Sequence, residues 1–140
     1  MITNFLKTYL FSLVTTLAII LLSVLPFPEV KVAEDIPLAD KWVHFVMYGF
    51  LSLVVWTEMA LEERRTGTKK AAFRLLLWGL LLPALLGGVL ELVQAYLTTT
   101  RSGEYWDFVA DALGALLGSV PAVLVRRFLR RRGAHSPQSL

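Results

Sequence analysis

Cysteine is absent from the chain, which removes several kinds of chemistry at once: no disulfide framework, no thiolate nucleophile and no cysteine-ligated metal site can be built. Charge is scarce as well. Only 18% of the 140 residues are Asp, Glu, Lys or Arg, where a soluble domain carries about a quarter. There is no glycine-rich phosphate loop, no serine–histidine–aspartate arrangement, no internal repeat and no low-complexity tract. What the chain has instead is apolar residues, 56% of the total, gathered in long runs and not scattered as core positions. That arrangement points to lipid as the solvent.

Four apolar stretches are each long enough to cross a hydrocarbon core of about 30 Å at about 1.5 Å per residue. They cover about 5–25, stopped by Pro26 and Pro28, then 41–61, 71–97, and a last one that begins near Trp106 and fades into Arg126 and Arg127. The first is read as a retained helix and not a cleaved signal, because Leu25-Pro26-Phe27 is a poor small-residue cleavage site. The fold class expected is all-α, an integral-membrane four-helix bundle. Residues 1–132 form the transmembrane domain and 133–140 a disordered tail.

The basic residues set the orientation. One side collects Lys7, Arg64, Arg65, Lys69, Lys70, Arg74, Arg126, Arg127, Arg130, Arg131 and Arg132, and the other only Lys31, Lys41 and Arg101. Eleven against three places both termini and the 62–70 loop in the cytoplasm. Trp42, Tyr96, Tyr105 and Trp106 then fall in an outer aromatic belt, with Trp56 and Trp78 toward the inner half. The run 126–132 reads as a cytoplasmic anchor that attracts anionic lipid, so no nucleic-acid partner is expected despite the net charge of +3.

Small residues and polar residues share helix faces. Ala110, Gly114, Gly118 and Ala122 recur every fourth position, a stripe that lets another helix approach closely, either within the chain or in a homo-oligomer. Asp107 and Asp111 fall in the arc of that stripe at about 100° per residue. On the third stretch Ala84, Gly87 and Gly88 lie within about 60° of Glu91, with Gln94 on the same side, and Pro83 predicts a kink. On the second, Asp40, Lys41, His44, Tyr48 and Ser52 occupy an arc of about 120°. The first stretch shows no polar stripe and is expected to serve as a lipid-facing wall. Glu58 is read as structural, pairing with Arg64, Arg65 or Arg74.

Depth brings the polar residues together. His44 lies about 5 Å in from Lys41, Glu91 about 9 Å in from Leu97, and Asp111 about 8 Å in from Trp106, all at one end of their helices. A charged side chain costs about 2.5–3.5 kcal/mol at the centre of a membrane helix and less near the interface, so a group of them needs mutual pairing, water or an ion. Asp40 and Lys41 have helix-end and interfacial roles open to them, and Glu104 and Asp107 suit the N-terminal end of the last helix. Glu91 and Asp111 have no such role.

The expected binding set is Asp40, Lys41, His44, Glu91, Gln94, Arg101, Asp107 and Asp111. His44 and Glu91 are the candidates for proton exchange with a bound head group, with Lys41 and Arg101 against phosphate. Alternatively His44, Glu91, Asp107 and Asp111 offer nitrogen and oxygen donors to a divalent cation such as zinc or manganese.

The same residues resemble a family. Asp40-Lys41-x-x-His44-Phe45 opening a membrane helix is similar to the first signature of VanZ-like membrane proteins. Glu91-x-x-Gln94, Arg101, Asp107 and Gly114-Ala115-x-x-Gly118 are similar to the second, and the two blocks cover roughly half the chain. Asp111 stands where the family usually has Asn, and Thr98-Thr99-Thr100 lacks the proline often found there. The resemblance implies a multi-pass protein of the bacterial cytoplasmic membrane, linked to lowered sensitivity to the glycopeptide teicoplanin. The convergent polar set itself is read as an outward pocket for a polar group, such as an envelope lipid head group, phosphate or wall-precursor fragment. A small membrane hydrolase or transferase acting on lipid-linked substrates, and a structural accessory subunit, are the alternatives that the residues leave open.

Overall fold

The computed structural model describes residues 2–25, 38–97 and 104–134, and these are helical apart from short turns, with no strand among them. In chain order the helices are α1 (Ile2–Thr8), α2 (Leu10–Val24), α3 (Ala39–Thr66), α4 (Ala72–Leu76), a π-helical turn (Leu77–Leu81), α5 (Leu82–Leu97) and α6 (Tyr105–Ala134). Three helices are long and apolar enough to cross a membrane: Ala39–Thr66, the continuous rod Phe73–Leu97, and Tyr105–Phe128. Leu10–Val24 is a shorter apolar helix packed beside them. The outer surface carries Leu17, Val46, Phe50, Val89, Leu92, Leu117, Val120 and Leu124, all exposed. A surface so continuously apolar is suited to hydrocarbon and not to water.

The most extensive pairing is between α3 and α6, and glycine makes it possible. A Cβ on Gly114 would run into the backbone carbonyl of Phe45, and one on Gly118 into that of Gly49. In return, a Cβ on Gly49 would lie 3.1 Å from the Gly114 carbonyl oxygen. The two backbones therefore touch over a full turn, which only residues without side chains allow. Ala122 continues the seam and is fully buried with Trp56, Met59 and Leu75. The small-residue stripe is thus filled from within the chain. Nearer the middle a second cluster joins Ile19 of α2 with Tyr48, Leu51 and Leu90.

The rod formed by α4, the π turn and α5 has its irregularity just ahead of Pro83, as that proline predicts. Proline cannot donate to the carbonyl four residues back, which here belongs to Gly79. Ser52 Oγ on α3 donates to the Gly79 carbonyl instead, at 2.5 Å. The borrowed hydroxyl lets the turn widen to a π turn without leaving a buried acceptor unbonded. Trp56 packs directly on Gly79, where a Cβ would overlap its ring. It is buried, so Trp56 is a core residue.

The first apolar stretch departs from expectation. It is broken at Tyr9 into α1 and α2, and it is not merely a wall. The break frees the amides of Phe11 and Ser12 from the helical ladder, and Glu58 of α3 accepts both, at 2.9 and 3.2 Å, together with the Ser12 hydroxyl. At the other end of α2, the Ser23 carbonyl accepts from Gln94 Nε2 at 2.9 Å. Ser12 and Ser23 are both buried. Glu58 is structural, as the sequence suggests, but its partners are helix amides and not arginines. Single serines among apolar residues do not form a stripe, so periodicity does not reveal them.

Around the Glu58 end of α2 a separate ionic cluster ties the bundle. Arg126 grips Glu63 through two nitrogens at 2.7 and 2.8 Å, and Glu63 accepts from the Lys70 amide at 2.5 Å. Lys70 Nζ lies 2.5 Å from Glu62, which also accepts from the Tyr9 hydroxyl at 2.5 Å. Burial opposes the charge on Lys70, but the bonds to Glu62 and Tyr9 outweigh it and hold the ammonium pKa above its ordinary value. Of the expected disordered tail, Gly133 and Ala134 extend α6 and the remaining residues lie outside those described.

Candidate functional site

Three helices deliver their polar side chains to one place, at the end where α3 and α6 begin and α5 finishes. Lys41 and His44 come from the first turns of α3, Glu91 from the penultimate turns of α5, and Asp107 and Asp111 from the first two turns of α6. Helical spacing explains the set: the i, i+3 pair on α3 and the i, i+4 pair on α6 each face the neighbouring helix. The fit is tight, because a Cβ at Gly87 would overlap the Asp111 carboxylate. Gly87 thus makes room for an acid to lie flat against α5.

Asp111 is completely buried, and His44, Glu91 and Asp107 are nearly so. Asp111 Oδ1 lies 2.9 Å from His44 Nδ1, and Glu91 Oε1 lies 3.6 Å from the same nitrogen. The other oxygen of Glu91 accepts from the Glu104 amide at 2.8 Å, just ahead of α6. A carboxylate at that helix start gains from the partial positive charge of unpaired amides. Tyr48, one turn below His44, closes the floor and is buried.

Nearer the rim, Lys41 is the hub of a second group. Its Nζ lies 2.7 Å from Asp40, 2.9 Å from Glu104 and 3.0 Å from Asp107 Oδ1. The last contact is an ion pair without hydrogen-bond geometry, so the buried Oδ1 of Asp107 has no hydrogen-bond partner among the described residues. The same holds for Asp111 Oδ2.

Of the residues expected to bind, Lys41, His44, Glu91, Asp107 and Asp111 converge, and Asp40 joins them at the exposed rim. Gln94 lies one turn beyond Glu91 and donates toward α2. Arg101 lies outside the described residues. Glu104 is the member that helix-end logic concealed: its side chain holds Lys41 while its amide holds Glu91. Its position one residue before α6 and within reach of Lys41 was the available signal.

The charge balance limits the chemistry. Asp40, Glu91, Glu104, Asp107 and Asp111 face one lysine and one histidine. Lys41 is already engaged by three carboxylates, so the described residues do not form an anion cradle. They suit a cation, an amine or a neutral hydroxyl-rich group, and His44 between two carboxylates is arranged for proton exchange.

Access is from the side. A recess of about 500 Å³ opens between α5 and α6, with Glu91 and Glu104 at its polar end and Val89, Leu92, Tyr105 and Phe108 along its apolar wall. A larger cavity of about 750 Å³ runs between α2 and the rod of α4 and α5. It borders Ser12, Met59, Glu62 and Lys70 but none of the clustered acids, and belongs to the opposite end. No protein-family model, no curated protein and no solved structure matches the chain.

Proposed function

We propose that this is a VanZ-like envelope protein of the bacterial cytoplasmic membrane. It crosses four times with both termini inside and holds the polar part of an envelope lipid or wall precursor at the outer end of α3, α5 and α6. The carrying observation is the recess between α5 and α6. Its long wall is apolar, its end is Glu91, and behind Glu91 lie His44 and Asp111. A lipid-linked molecule enters such a recess from the membrane with its tail along the helices and its head at the acids. Amine or hydroxyl groups on that head suit the acidic surroundings better than phosphate alone, which needs Arg101 to be bound. By the family resemblance, this binding is what lowers sensitivity to teicoplanin.

The absence of cysteine allows a direct test of orientation. A single cysteine at Arg101 should react with a membrane-impermeant maleimide added to intact spheroplasts. One at Thr68 should react only after lysis. The reverse pattern overturns the outward site.

Function is tested by Glu91→Ala and Asp111→Ala, each checked for normal membrane abundance. Both should lose at least tenfold in retention of a lipid-linked wall precursor, read by native mass spectrometry. Any teicoplanin tolerance conferred by the wild type should fall to that of the empty vector. Wild-type retention and tolerance in both variants would refute the proposal. The His44–Asp111 contact of 2.9 Å favours a second reading, a hydrolase or transferase in which His44 serves as base. Turnover of the bound precursor by wild type, lost in His44→Ala, distinguishes it from simple binding.

A further inference from the structure

Asp107 belongs to two trios of potential ligands, one exposed and one buried, and its Oδ1 is also the atom that meets Lys41. Asp40, Glu104 and Asp107 form the exposed trio, and Lys41 sits among them at 2.7–3.0 Å. The buried trio is His44, Glu91 and Asp107. Each offers one donor atom, and those three atoms all lie within 4.8 Å of one another. No lysine or arginine nitrogen reaches Glu91 or Asp111 among the described residues; His44 is the basic group they share.

Coordination geometry makes that spacing informative. Ligand atoms at about 2.0–2.2 Å from a common ion stand about 3–3.6 Å apart, so the buried trio needs only a slight closure to bind one. Each donor comes from a different long helix, and each helix is packed through glycine or buried contacts, so the site is held by the body of the bundle. Asp107 Oδ1 is buried and lacks a hydrogen bond, its neighbour being the Lys41 ammonium at 3.0 Å. Asp111, completely buried, lies 2.9 Å from the same His44 nitrogen that faces Glu91 at 3.6 Å, so an ion taken up at that nitrogen would replace the Asp111 contact.

We propose that His44, Glu91 and Asp107 bind one divalent transition-metal ion of the zinc or manganese kind. This deepens the reading above and rests on the same site being a binding site. A mixed nitrogen and oxygen set without sulfur suits these ions, and histidine disfavours magnesium and calcium, which prefer oxygen. Lys41 remains held by Asp40 and Glu104 when Asp107 turns to the ion. The ion offsets the buried negative charge and gives a head-group oxygen or amine an electrophilic centre to approach.

The test uses the full chain in detergent micelles, stripped with chelator and then equilibrated separately with Zn²⁺, Mn²⁺ or Mg²⁺. Elemental analysis after desalting should find about one zinc or manganese per chain and no retained magnesium. His44→Ala, Glu91→Gln and Asp107→Asn should each weaken binding at least tenfold. Thr68→Ala, exposed at the opposite end of the bundle, should match the wild type. If a variant does not fold, the wild type with Co²⁺ still decides: visible ligand-field absorption that saturates at one equivalent and is displaced by Zn²⁺ supports the site. Absence of stoichiometric zinc or manganese in the wild type, or undiminished binding in His44→Ala, overturns it. Stripped protein that takes up no metal but retains the lipid-linked precursor overturns the metal and leaves the binding function standing. Failure of both overturns both.

Discussion

Replacing Gly118 with alanine is expected to destabilise the folded protein by at least about 3 kcal/mol, at or above the upper end of ordinary overpacking. The added methyl group would meet the Gly49 carbonyl, which is backbone in the middle of α3 and has no rotamer to change. Relief requires moving two long helices apart along the seam that also places His44 against Asp111. The gain of about 1 kcal/mol in helix propensity is too small to offset this. Gly88→Ala is the control. There the nearest atoms are the Phe108 ring carbons at 3.2 and 3.3 Å, which can tilt, so the propensity gain and the strain nearly cancel. Thermal unfolding followed by size-exclusion chromatography in detergent separates the two. A Gly118→Ala protein as stable as Gly88→Ala would mean that the α3–α6 contact is not as described.

Glu58→Ala should release the start of α2. Two amides and a serine hydroxyl lose their acceptor, and each buried donor left unbonded costs about 1–3 kcal/mol. Hydrogen–deuterium exchange over residues 10–13 should rise by at least tenfold while exchange within α6 stays unchanged. Glu58→Gln retains a carbonyl acceptor and should fall between the two. If exchange at Phe11 and Ser12 is the same in all three proteins, the capping role of Glu58 is wrong.

These two positions differ in how far the sequence reveals them. Gly118 belongs to a stripe with a period of four, and a regular spacing on a helix marks a face before any partner is known. Glu58 has no such mark. Its partners are main-chain amides exposed by a break at Tyr9, and no residue type at Tyr9 announces that break. The π turn lies between. Pro83 predicts an irregularity, but the hydroxyl that satisfies Gly79 comes from Ser52, 27 positions away in the chain.

The site follows the same division. That His44, Glu91, Asp107 and Asp111 share a depth was readable from the chain, because helical rise converts residue number into distance from a helix end. Hydropathy and the placement of arginine and lysine set the expectation that this depth lies near a bilayer surface. Which oxygen meets which nitrogen depends on the rotation of each helix about its axis, and rotation is set by packing. The glycines at 49, 87, 114 and 118 bring the backbones close enough for Lys41 to take three carboxylates and for His44 to be left with two others. Local composition carries helix, length and depth, because these depend on neighbours in sequence. Partnership among charges depends on neighbours in space, so it had to come from the fold.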